Sequence, residues 1–150
     1  MSYYWLGSYM IENASVIAPG NWGRIVALTP AHPYSLLEEI YERIRATTYP
    51  ELPSRKKSLF LFANNEDAKK LQAQRPFDIL YQVEIVDINC KTSTLDMSVV
   101  NPISLDGQML LPARDLAIQA KTYWDTAGTN NNDIPEILVE GCIKIINRLD

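Results

Sequence analysis

Polar and apolar residues alternate from Ile79 to Ile88, where Tyr81, Val83 and Ile85 stand against Gln82 and Glu84, and this period of two predicts a half-buried strand. The same period is clearest from Glu136 to Ile146, which reads as one strand. Ile137, Val139, Ile143 and Ile145 share one of its faces; Glu136, Leu138, Glu140, Cys142 and Lys144 share the other. A different period governs Leu36, Leu37, Ile40, Tyr41 and Ile44. Their spacing predicts a helix running to about Arg45, opened by a capping box of Ser35 and Glu38. Thr47, Thr48 and Tyr49 are poor helix formers, and Pro50 and Pro53 end any helix there.

Shorter signals fill the remaining chain. Tyr3 to Gly7 reads as an aromatic strand, buried in the sheet and ending at a glycine turn, and Pro19-Gly20-Asn21-Trp22-Gly23-Arg24 as a shaped loop. Leu59 to Phe62 has the unbroken apolarity of an interior strand. Asn64 or Asn65 can cap a brief helix through Ala68 and Leu71, with Glu66 and Asp67 in its first turn. A strand is expected around Met97 to Val100, with turns near Pro102 and Asp106-Gly107. Pro112 then suits the first turn of a helix carrying Leu116, Ala120, Tyr123 and Trp124, which Gly128 and Asn130 to Asp133 break. Strands and helices mix without a regular alternation, so an α+β fold with a largely antiparallel sheet is expected.

Composition adds limits. A chain of 150 residues fits one domain, and its net charge of −4 demands neither a nucleic-acid backbone nor an anionic membrane as partner, although a local basic groove is compatible with it. Cys90 and Cys142 match no metal-ligand spacing and read as reduced core thiols of a cytoplasmic protein, with no leader ahead of Tyr3. No apolar run approaches the ~20 residues of a membrane span. Neither GxGxxG nor GxxxxGK[ST] occurs. The single histidine, His32, reads as a solvated loop residue and gives little support to a serine-histidine-acid triad, and no cluster of ligands points to a metal.

Two places remain for chemistry. Pro53-Ser54-Arg55-Lys56-Lys57-Ser58 sets two hydroxyls and a guanidinium at the mouth of the Leu59 strand, where a scaffold fixes the backbone and leaves loop side chains free to reach a ligand. Glu136 stands at the mouth of the last strand. A carboxylate there can bond sugar hydroxyls and stabilise oxocarbenium charge as a glycosidic bond breaks; it can equally be a solvated strand-end glutamate. Arg55, Lys56 and Lys57 can likewise be a solvated basic turn, Phe60 and Phe62 core, and Trp22 a loop anchor. Arg43 and Arg45 suit pairing with Glu39 and Glu42 or a solvent-facing position.

The ending Pro135-Glu136-Ile137-Leu138-Val139-Glu140-Gly141 resembles the last strand of ADP-ribosyltransferase-like proteins, in which a glutamate ahead of an apolar run sits over the nicotinamide ribose of NAD. Pro19-Gly20-Asn21-Trp22-Gly23-Arg24, Glu42-Arg43-Ile44-Arg45 and Pro53-Ser54-Arg55 followed by Ser58-Leu59-Phe60 resemble an uncharacterised bacterial family associated with that fold. The resemblance spans most of the chain and implies a split, mostly antiparallel sheet with flanking helices, formed by residues 1–150 as one domain. It implies transfer of ADP-ribose from NAD, without metal, to a protein or nucleic-acid acceptor, as in bacterial toxins or phage-defence effectors. A neutralising antitoxin would then be a partner.

Carried over by residue, the resemblance makes Glu136 the catalytic carboxylate. The first-strand position, a histidine or arginine in the family, falls at Tyr4, which can donate a hydrogen bond but brings no cation. Ser54 and Ser58 would lie beside the nicotinamide, with Phe60 or Tyr81 as the stacking aromatic. Arg55 and Arg24 would hold the diphosphate. The tyrosine at the first strand motivates an alternative, a catalytically inactive nucleotide- or protein-binding module. An unrelated interaction domain is the third reading, favoured if Arg55 and Glu136 stand far apart.

Overall fold

A computed structural model describes residues 1–29, 32, 34–100 and 113–150. Along the chain run β1 (Tyr3–Gly7), β2 (Val16–Ile17), α1 (Asn21–Leu28), α2 (Ser35–Thr48), a 3-10 turn (Arg55–Lys57), β3 (Leu59–Leu61), α3 (Asn65–Gln72), β4 (Ile79–Ile85), β5 (Thr92–Asp96), a second 3-10 turn (Met97–Val99), α4 (Ala113–Asp125), β6 (Pro135–Val139) and β7 (Ile143–Arg148). The described strands form two antiparallel sheets in the orders β1-β4-β7-β2 and β3-β6-β5. The fold is therefore α+β, with flanking helices, as the mixed periodicities imply.

The sheets meet face to face. Leu59, Leu61, Ile137 and Val139 from the three-stranded sheet pack on Tyr81, Val83, Ile143 and Ile145 from the four-stranded one. At one corner the backbones of Tyr4 and Phe62 exchange two hydrogen bonds of 2.9 Å, and Phe62, Ala68 and Leu80 pack beside that bridge. The other face of the three-stranded sheet carries Leu95 and Leu138 and is covered by Leu37 and Tyr41 of α2 and by Leu116, Ala120, Tyr123 and Trp124 of α4.

Several elements depart from the local pattern for tertiary reasons. The expected single strand from Glu136 to Ile146 is two strands in different sheets. Its face of Ile137, Val139, Ile143 and Ile145 survives because the two sheets turn those residues toward each other. The break falls at Gly141, where a Cβ would lie 2.6 Å from Cys90 Sγ. Both cysteines are free but only half-buried, not the core thiols expected. The loop expected at Pro19 to Arg24 becomes α1 from Asn21. Gly20, at φ +96°, turns the chain into it, and a Cβ on Gly23 would stand 2.3 Å from the Lys56 carbonyl oxygen, so α1 lies against the first 3-10 turn.

The capping box does not form. Tyr34 is the N-cap of α2, Ser35 Oγ donates to the carbonyls of Val26 and Thr29 at 3.0 and 3.3 Å, and Glu38 turns inward. The helix passes Arg45 to Thr48, with the Thr47 hydroxyl turned back onto the Arg43 carbonyl at 2.8 Å. β1 and β3 are edge strands, not interior ones; β3 is buried because both its faces are covered. β4 stops at Ile85, short of Ile88. Met97–Val99 is a 3-10 turn rather than a strand, fastened by Asp96 accepting from Ser98 N and Oγ. The Asn64 cap forms as read, accepting from Asp67 N at 2.8 Å, and Gly128 at φ +72° follows α4. Pro102, Asp106-Gly107 and Pro112 lie outside the described residues. No helix among those described is long and apolar enough to cross a membrane.

Candidate functional site

Arg55 opens the 3-10 turn, and its side chain runs inward rather than into solvent, with 7% of the residue exposed. Its Nε donates to both oxygens of Glu38, at 2.9 and 3.1 Å. Nη1 donates to the Tyr123 hydroxyl at 2.9 Å and to Glu136 Oε1 at 3.3 Å. The guanidinium carbon stands 5.1, 5.2 and 5.8 Å from the ring centres of Tyr123, Phe60 and Tyr41, within range of cation–π attraction. Glu38 is itself fixed from α1, where Trp22 Nε1 donates to its Oε1 at 3.0 Å.

One guanidinium is thus shared by two buried carboxylates. Burial disfavours the charge of Arg55, yet Glu38, Tyr123 and Glu136 outweigh it and hold the group well above its ordinary range. Burial pushes the Glu136 carboxyl up, Arg55 opposes the shift and Glu38 adds to it. Both phenols, Tyr41 and Tyr123, are held up by burial and stay protonated. Such a cluster contributes little net stability, because desolvating each ion costs several kcal/mol that the pairing must recover. Perturbed titratable groups of this kind concentrate at functional sites.

Beside it lies a second, wetter cluster. Arg45 clasps Glu42 through two bonds of 2.7 and 3.0 Å, and Ser54 Oγ donates to Glu42 Oε2 at 2.8 Å. Although burial opposes it, these bonds from Arg45 and Ser54 hold the Glu42 carboxyl below its ordinary range. The Ser54 amide donates to Glu140 Oε1 at 2.6 Å, and Ser58 Oγ to the Ser54 carbonyl at 2.6 Å.

The structure brings Glu136, Arg55 and Phe60 together on the helix-facing side of the three-stranded sheet, but not Ser54 and Ser58. β3 runs antiparallel to β6 with Leu59 opposite Val139, so both serines lie at the Glu140 end and only the Arg55 side chain spans the distance to Glu136. Both serine hydroxyls point to internal acceptors rather than outward. Tyr81 is not beside them: its ring is buried between the sheets, and its hydroxyl donates to the Tyr9 carbonyl and accepts from Ile11 N, each at 2.8 Å. Tyr4 belongs to the bridge with Phe62. Arg24 stands on the exposed side of α1. Arg55 is no solvated turn, whereas Lys57 is exposed and Lys56 pairs with Glu39. His32 is half-buried, edge-on to Trp22 at 5.2 Å, with Nδ1 accepting from Tyr34 N. No group of His, Cys, Asp or Glu among the described residues is arranged to hold a metal.

Glu38 and Tyr123 are the members that the sequence reading passed over. The Ser35 spacing assigns Glu38 to a cap, but it lies on the same helical stripe as Leu37 and Tyr41, where an acid needs a buried cation.

A model of the family described as "Protein of unknown function (DUF2441)" matches residues 11–150. The chain belongs to this family. The match takes in every member of the cluster, from Trp22 through Glu38 and Arg55 to Glu136, so the whole constellation lies within the DUF2441 domain. No curated protein matches the chain.

Proposed function

We infer that this protein is an NAD-dependent mono-ADP-ribosyltransferase on an ADP-ribosyltransferase-like split sheet, with Glu136 as its catalytic carboxylate. The observation that carries the reading is the 3.3 Å pairing of Glu136 with Arg55. A carboxylate for the ribose and a guanidinium for the diphosphate meet on the helix-facing side of the three-stranded sheet, with three aromatic rings around the guanidinium. This proximity also speaks against an unrelated domain in which the two are far apart.

In the proposed reaction the bond between the anomeric carbon and the nicotinamide nitrogen breaks. Its electron pair leaves with neutral nicotinamide. The acceptor's nucleophilic atom forms the new bond to that carbon, and its proton is released to solvent. No acid is needed for departure, because the leaving group is cationic while attached. The ionised form of Glu136 accepts a bond from the ribose hydroxyl and stabilises the positive charge that grows on the ring. Arg55 exchanges Glu136 for the diphosphate, which a guanidinium grips through two oxygens. This exchange frees the carboxylate as it fills the site. Phe60 supplies an aromatic edge. Trp22 and Glu38 keep the guanidinium aimed.

The test is release of nicotinamide from NAD with and without cell extract, followed with label in the adenylate. Glu136→Gln is expected to lower the rate by about 100-fold or more, the usual effect of removing one electrostatic stabiliser. No nicotinamide release by the parent, or equal rates for parent and variant, overturns the reading.

A second reading has its own support. The hydroxyls of Ser54, Ser58 and Tyr81 are all committed to internal bonds. Such a site binds a nucleotide or protein without transferring anything, and saturable NAD binding without nicotinamide release would favour it.

A further inference from the structure

The three residues of the Arg55–Lys57 turn diverge: Arg55 runs inward to Glu136, while Lys56 and Lys57 run along the surface. There they join Arg24 around a groove of about 580 Å³, lined otherwise by Pro19, Gly20, Gly23, Ala27 and Leu28. Three cations and no carboxylate line it, in a chain whose net charge is −4. Arg24 and Lys57 are exposed, and no ion pair engages either of them among the described residues. Lys56 reaches Glu39, whose side chain is 70% exposed, so that pair is readily exchanged.

The groove's shape is built in. Gly20 and Gly23 leave its wall without Cβ atoms, and the contact of Gly23 with the Lys56 carbonyl fixes α1 against the turn, so Arg24 and the lysines keep their spacing. Pro19, Ala27 and Leu28 form an apolar floor beside the three cations, which suit successive phosphates of a flexible strand. The Arg24 fork suits a phosphodiester better than a point charge does.

We propose that this groove binds the phosphodiester backbone of a single-stranded nucleic acid. The inference rests on the transferase reading for its consequence: the groove is built on the same Arg55–Lys57 turn that supplies the guanidinium paired with Glu136, so nucleic acid is the class of acceptor. Binding itself requires no NAD and is tested separately.

The experiment is fluorescence anisotropy of the full chain with labelled 20-nucleotide RNA and DNA strands. Binding is expected, with a log–log salt slope of about −2 for three phosphates, which weakens it about 20-fold between 50 and 200 mM salt. Double charge reversal, Arg24→Glu with Lys57→Glu, is expected to weaken it by at least about ten-fold. Both side chains are exposed, so the fold is retained, which circular dichroism checks. Lys69→Glu, on the exposed side of α3, serves as control and is expected to bind like the parent. Preference for RNA or for DNA identifies the strand. No binding, equal binding by the double reversal, or displacement by polyglutamate of equal charge overturns the proposal. Displacement by millimolar NAD also overturns it, because the groove would then be a dinucleotide subsite. Nicotinamide release is unaffected by these outcomes and reports separately on Glu136.

Discussion

The two faces of β6 solve burial in opposite ways. Ile137 and Val139 face the other sheet through aliphatic and aromatic contacts alone. One residue away along the strand, Glu136 and Leu138 face α2 and α4, and there a buried carboxylate, a guanidinium, a second carboxylate and a phenol interlock. On the first face each residue contributes according to the volume it fills, and losses are local. On the second face a residue's contribution depends on which partners remain, because an ion left unpaired away from water costs more than its pair contributed.

Removing the shared cation breaks the comparison most sharply. Arg55→Met is expected to destabilise the protein by about 3–5 kcal/mol at neutral pH in urea unfolding, since Glu38 and Glu136 are left buried without their cation. Acidification should restore part of that loss by neutralising Glu136, whose carboxyl burial already raises. A loss under about 1 kcal/mol would mean that the cluster is open to water.

On the aliphatic face, Leu61→Ala should cost about 3 kcal/mol through lost burial and a residual cavity, because Leu61 is fully buried. Here the loss should be nearly independent of pH. A pH-dependent loss would show the two faces to be coupled.

Ser54→Ala should cost about 1.5 kcal/mol at neutral pH, the low end for a hydrogen bond to a charged partner, here shared with Arg45. The Glu42 carboxyl is held below its ordinary range, so its contribution is present above that range and disappears as pH falls through the lowered value. The cost of Ser54→Ala should shrink in the same direction. A cost that grows on acidification would contradict this sign.

The smallest change is expected from Glu136→Gln, within about 1 kcal/mol of the parent at neutral pH, because Arg55 keeps Glu38. Burial raises the Glu136 carboxyl, so its contribution to stability is complete below the ordinary glutamate range and is lost as pH rises through the raised value. The variant should therefore gain on the parent as pH rises. Melting temperatures of both proteins across acid to neutral pH measure the difference. Little change in stability beside a large loss of nicotinamide release would separate the role of Glu136 in chemistry from any role in folding.

By itself the sequence determined what depends on near neighbours. The apolar stripe of α2, the alternation of β4, the Asn64 cap and the face shared by Ile137, Val139, Ile143 and Ile145 follow from periods of 3.6 and 2 or from a partner three residues away. Ser54, Arg55 and Glu136 were also legible as a group, because charge at the mouths of apolar strands stands out in one dimension. Tertiary structure alone decided what those charges meet. Arg55 lies 17, 68 and 81 positions from Glu38, Tyr123 and Glu136, separations that no local period spans. It likewise sent the two halves of the last apolar segment to different sheets, committed the serine hydroxyls to internal acceptors and placed Tyr81 between the sheets. The physical reason is the same in each case: a buried polar group must find a partner wherever the packed chain brings one, and that place is set by the whole core.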